Sequence, residues 1–163
     1  MQVNKVQILS NGSISVGYQE YLGQDEETQK SRWDKISGRT IQAKAVERFY
    51  DILAELKPHA VELLEIIPAK MVNRVRVRGF TFTYTKEHKM GGEMIVDISL
   101  SKSEPPLHLV TPHKVVESYN DDKKDEDLKR FNEECGKLIA ELHDETVNYI
   151  NGKRLNIEMD LKE

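Results

Sequence analysis

Cysteine is almost absent from this chain of 163 residues, and the single Cys135 cannot form an internal disulfide. The fold must therefore rest on a packed core, and a chain of this length can bury about two-thirds of its unfolded surface without staples. No apolar run approaches membrane-spanning length, and the N-terminus lacks the charged-then-apolar pattern of a signal peptide. A protein of the host-cell cytoplasm with no membrane partner is the expectation. The five histidines, His59, His88, His108, His113 and His143, show no paired ligand spacing, so no metal site is expected. Gly91-Gly92 lacks the longer glycine pattern of a phosphate-cradling loop and reads as a hairpin turn. Cys135 falls on an apolar helix stripe, where a packed thiol is expected rather than a nucleophile. Neither a catalytic residue nor a cofactor is indicated, and the chain reads as a non-enzyme.

What is present concentrates between Met71 and Thr85. Strict alternation there places Arg74, Arg76 and Arg78 on one face of a strand, and the same phase continues into Phe80, Phe82 and Tyr84. A basic row running into an aromatic row fits a nucleic-acid strand or a nucleotide, because guanidiniums meet phosphates and flat rings stack on bases. Gly79 opens a second phase, since glycine inside a strand often marks a bulge that shifts the alternation by one residue. With a bulge, Val75 and Val77 share the buried face with Phe80 and Phe82, and every residue is explained without a ligand. In either phase the arginine heads are expected at the surface.

Charge is divided unevenly along the chain. The whole carries 24 basic and 28 acidic residues, but residues 68–116 are net +4 and the remainder net −8. Lys86, Lys89 and Lys114 belong to the basic segment, and a local basic surface can attract an anion whatever the total charge. Thr111-Pro112-His113-Lys114 has two readings: a rigid corner presenting His113 and Lys114 to a phosphate, or a turn leading toward the last helix.

Residues 1–163 read as a single α+β domain in two layers, an antiparallel sheet with helices on one face, in the order ββ-α-ββ-α with a possible final strand. Val3–Leu9 and Ile14–Tyr21 form a predicted hairpin around Asn11-Gly12. Polar, glycine-punctuated residues 23–39 predict a long surface loop pinned by Trp33. Thr40 is a candidate N-cap for a helix bearing Val46, Phe49, Leu53 and Leu56, which Pro58 ends or kinks before a second piece to Ile67. Met94, Val96, Ile98 and Leu100 predict a strand paired with the arginine strand through a hairpin at 86–92, and Leu107–Val110 a short strand. The last helix runs from about Asp125 to Ile150 with Gly152 as its stop, and Asp121, Asp122, Asp125, Glu126 and Asp127 suit its N-terminal dipole. Leu155, Ile157, Met159 and Leu161 alternate as the final strand.

Arg78-Gly79-Phe80-Thr81-Phe82 resembles the start of the aromatic ribonucleoprotein motif of RNA-recognition domains, whose rings stack on bases. That motif sits on the third strand of its domain, a place taken here by the Met94 strand, so the likeness is a physical analogy. Leu56-Lys57-Pro58-His59, Val77 to Tyr84, Leu109 to Lys114 and Tyr149 to Arg154 together resemble an uncharacterised family of small phage and prophage proteins, over most of the chain from residue 45 onward. Members tend to be encoded near recombination and single-strand-binding genes, which implies a DNA-metabolism setting without supplying an activity. The expected function is a non-enzymatic phage accessory protein binding nucleic acid, single-stranded DNA above all, in replication or recombination. Its site would comprise Arg74, Arg76, Arg78, Phe80, Phe82, Tyr84, Lys86, Lys89, His113 and Lys114. The alternative is an interaction or sequestering module that inhibits a host defence factor through a host or phage protein or a signalling nucleotide, and either reading is compatible with an oligomer.

Overall fold

A computed structural model describes residues 1–116 and 129–154. β1 (Gln2–Ile8), β2 (Ile14–Gln24) and β3 (Ser31–Ile41) precede α1 (Glu47–Leu64). A 3₁₀ helix at Ala69–Arg74 leads into β4 (Val75–Tyr84) and β5 (Met90–Ile98). β6 (Leu107–Val110), β7 (Lys114–Val115) and α2 (Glu133–Ile150) follow among the described residues. The seven strands form one sheet in the order β3-β2-β1-β4-β5-β6, with β7 also on β5, and every named pair is antiparallel. This is the α+β domain with helices on one face of an antiparallel sheet.

The first hairpin forms where the turn chemistry asks for it. Gly12 takes φ +87, and Asn11 Oδ1 accepts from the Ser13 N–H at 3.0 Å. α1 and α2 cover the same face. Phe49, Ile52 and Leu56 of α1 and Leu138, Ile139 and Leu142 of α2 are buried with Val6, Ile14, Phe80, Met94 and Val96 of the sheet. Arg48 clamps the helix pair, donating from Nε and Nη2 to the two carboxylate oxygens of Glu141 at 2.6 Å each.

Several boundaries differ from the sequence reading. Residues 31–39, expected within a loop, belong to β3, and only a short turn separates it from β2. β3 is an edge strand, where charged residues such as Arg32, Asp34 and Lys35 are favoured because they discourage pairing with other chains. Thr40 lies in β3, and α1 starts after Val46 with no side-chain cap. Pro58 sits inside a continuous α1 rather than dividing it. The packed face carries the helix through the missing hydrogen bond, since Leu56, His59 and Ala60 around the proline are all buried. Gly91 and Gly92 belong to β5, and the turn lies at Thr85–Lys89 instead. The residues 125–128 expected to open the last helix, the acidic run, and the expected final strand at 155–161 all lie outside the described residues. α2 is capped by Asn132, whose Oδ1 accepts from the Cys135 N–H at 2.8 Å, and it ends just before Gly152.

The sheet closes tightly at Gly79. A Cβ there would lie 2.0 Å from the Val6 carbonyl oxygen and 2.7 Å from the Gln7 Cα, both on β1. Because backbone on each side must yield, Gly79→Ala should destabilise by at least the 1–3 kcal/mol typical of overpacking. A lowered urea midpoint would read this out, and an unchanged midpoint would contradict the close β1–β4 approach.

Candidate nucleic-acid interface

The phase of β4 is decided by its pairing with β5. Val77 faces Val96 and Gly79 faces Ile95, so Arg78 is the extra residue of a bulge at this point. Val75 and Val77 on one side of it, and Phe80 and Phe82 on the other, are all buried toward the helices. This corrects the unbulged phase. Phe80 and Phe82 are core rings, 4.6 Å apart between centroids, and cannot stack on bases. Tyr84 is half-buried, its hydroxyl donates to the Val3 carbonyl, and burial raises its pKa.

The arginine row is divided by the same bulge. Arg74, closing the 3₁₀ helix, and Arg76 are exposed. Arg78 departs from the expectation that its head faces water. Its Nε donates to the Ile8 carbonyl at 2.9 Å, Nη2 donates to the same oxygen, and Nη1 meets Asp97 Oδ2 at 2.7 Å. The side chains of Arg78 and Asp97 are only 13% and 10% exposed. The other Asp97 oxygen lies 2.6 Å from Nδ1 of His108 on β6, so a buried carboxylate holds a guanidinium and an imidazole together. Of the other expected residues, Lys86 is exposed and Lys89 half-buried in the β4–β5 turn region. His113 Nε2 sits 2.8 Å from Thr83 Oγ1, and Lys114 begins β7.

The aromatic surface lies elsewhere. Tyr21 of β2 and Trp33 of β3 face one another as a cross-strand pair, with centroids 5.3 Å apart at 61°. His88, at φ +64 in the β4–β5 turn, brings its ring to 6.4 Å from Trp33. Gln2 Nε2 lies 3.4 Å from His88 Nδ1, and Gln19 donates to Gln2 at 2.7 Å, which joins β1, β2 and this turn. The sequence reading missed the set because it placed Trp33 in a loop. The available signal was the length of the β2 run, which outlasts β1 and needs a second partner.

Register carries this set onto the sheet face opposite the helices. Val6, Tyr18, Val77 and Met94 face the core, so their neighbours Lys5, Gln19, Arg76 and Glu93 share the other face. Among the described residues no helix covers it. Lys5, Lys35, Arg76 and Arg78 there stand against Glu93 and Asp97, a local excess of positive charge on a chain of net charge −4. Comparison with family models, curated proteins and solved structures returned no match. No helix is long and apolar enough to cross a membrane, and no group of three His, Cys, Asp or Glu could hold a metal, in each case among the described residues. Cys135 is buried, and its thiol is pushed up to about 12, mainly by that burial.

His143 of α2 closes the helix side beneath Tyr84 and Phe82, with ring centroids 6.3 Å and 5.5 Å away. Its Nε2 accepts the Val3 N–H at 3.2 Å, and burial holds its pKa below the ordinary histidine value, with Asp144 opposing. The folded chain therefore keeps a neutral ring, whereas the unfolded chain protonates near pH 6.5. This contribution to stability is complete above about pH 6.5 and is lost as pH falls from there through the lower folded value. Urea midpoints should drop between about pH 7 and pH 5, and the drop should be smaller in His143→Gln.

Proposed function

We propose that this chain is a non-enzymatic, phage-type accessory protein that binds single-stranded nucleic acid, DNA in particular, along the uncovered face of its sheet during replication or recombination. The observation that carries the reading is the joining, on one uncovered face, of an excess of cations with the Tyr21–Trp33–His88 ring set. Arg76, Lys5 and Lys35 would meet phosphates, while Trp33 and Tyr21 stack on bases. From Arg76 to Tyr84 the strand rises roughly 26 Å at about 3.3 Å per residue, room for several extended nucleotides. The resemblance to phage proteins encoded near recombination genes supports the DNA setting.

The chain contains one tryptophan, so Trp33 emission reports this surface directly. Unrelated single-stranded oligonucleotides should quench it at low salt, with a log-log salt slope of about −0.7 per phosphate neutralised. Trp33→Ala, measured with labelled oligonucleotide, should weaken binding by roughly 1–3 kcal/mol. Replacing Lys5, Lys35 and Arg76 together by Gln should flatten the slope by about two units. Absence of oligonucleotide binding at low salt would reject the reading.

A further inference from the structure

β1 stops before β4 does. Their pairing runs from Lys5↔Thr81 to Gln7↔Gly79, so the β1-facing edge of Val75–Val77 has no strand partner. Two cavities flank this seam. On the helix side a crevice of about 220 Å³ is walled by Tyr50, Leu53 and Ala54 of α1 and by Val75 and Val77. On the uncovered side a cleft of about 770 Å³ is bounded by the turn of the first hairpin and by Arg76, Arg78, Asp97 and His108. Ile8 and Arg76 line both, which makes the two cavities neighbours across the seam.

We propose that this seam seats a nucleoside monophosphate unit, free or at the end of a strand, with its base in the crevice and its phosphate in the cleft. The crevice falls below the roughly 300–1,000 Å³ of a whole ligand pocket and suits one flat ring system between apolar walls. Polar groups for the edges of that ring are at hand. Pro58 has no N–H, so the carbonyl of Ala54 lacks its helical donor, and the Val75–Val77 backbone lacks a strand on this side.

The cleft supplies the charge. Arg76 is exposed and has no side-chain hydrogen bond or ion pair among the described residues. Arg78 is held in place by Ile8 and Asp97, and Asp97 also accepts from Nδ1 of His108, so that in its protonated form this largely exposed ring has Nε2–H left to donate to a phosphate oxygen. Lys57, at the rim of the crevice, adds a further cation. A phosphate thus meets donors that are already oriented, and the one acid in the cleft is already paired to two of them.

Calorimetry on the full chain tests this with adenosine monophosphate, adenosine and inorganic phosphate, alongside single-stranded oligonucleotides with and without a 5′-phosphate. The monophosphate should bind at least tenfold more tightly than either fragment. Arg76→Gln should weaken it tenfold or more. Ala54→Trp, on an exposed helix position, should block the crevice, with a tenfold loss for the monophosphate and none for phosphate; unchanged melting temperatures exclude unfolding. Equal affinity for monophosphate and phosphate, or an Ala54→Trp protein that binds the monophosphate normally, would overturn the proposal. A tenfold preference for the 5′-phosphorylated strand assigns the unit to strand ends, and monophosphate binding without that preference assigns it to free nucleotide. The strand-end form rests on the open-face reading, whereas monophosphate binding without Trp33 quenching by oligonucleotides supports the seam and rejects that reading.

Discussion

Phe80→Ala is expected to lower the unfolding free energy by about 3–5 kcal/mol, the largest loss from any single ring in this sheet. The ring is fully buried, 4.6 Å from Phe82 and 6.2 Å from Phe131 between centroids. Its pocket has little freedom to collapse, because backbone already crowds it: a Cβ on Gly92 would lie 1.9 Å from the Thr81 carbonyl oxygen and 2.6 Å from Phe80 Cε1. At roughly 2–4 °C per kcal/mol for a chain of this size, the melting temperature should fall by about 6–20 °C. Strand binding measured well below that temperature should hardly change, since the rings proposed to stack are Tyr21 and Trp33. A variant with a normal melting temperature and lost binding would return Phe80 to the surface and reject the bulge.

Asp97→Ala should be of similar size, about 3–5 kcal/mol, because it leaves the largely buried Arg78 guanidinium without its counter-charge. The loss should be mostly recovered in the double variant Asp97→Leu, Arg78→Met, where no charge remains to be compensated. Urea denaturation of the single and double variants measures both. Equal losses would mean that packing at this point, not the charge pair, holds the bulge. Asp97 also orients His108, so the single variant should weaken monophosphate binding even under conditions where it is folded.

How much of this was legible in the sequence depends on whether the cause was local. Asn11-Gly12 announces its turn because the required backbone angles are a property of those two residues. Gly79 marks the bulge in the sequence too, although what demands glycine there is the close approach of the β1 backbone and not a turn angle, and the four buried positions of β4 follow from the shifted phase. β3 was hidden because an edge strand with charges along it has the composition of a loop. Only its pairing with β2 distinguishes the two, and pairing is not a local property. Pro58 shows the opposite error, a strong local signal overruled by the buried face of α1. Arg78 could not be assigned from its own strand, since Ile8 and Asp97 decide its role from distant parts of the chain. The aromatic set had a comparable obstacle: Tyr21, Trp33 and His88 belong to separate elements and meet only once the sheet is complete.

The pairing of β1 with β4 bears on how the chain reaches this structure. It is the central seam of the sheet, yet it joins Lys5–Gln7 to residues that follow the whole of β2, β3 and α1. The hairpins on either side close short loops and can form early, whereas this seam must close a long one before its contacts repay the lost freedom. During synthesis the first three strands leave the ribosome as a meander whose apolar face has no partner until α1 and β4 follow. Both of its edges, β3 and β1, are open to other chains in that interval, and Arg32, Asp34 and Lys35 guard the outer one while the nascent sheet waits for its second half.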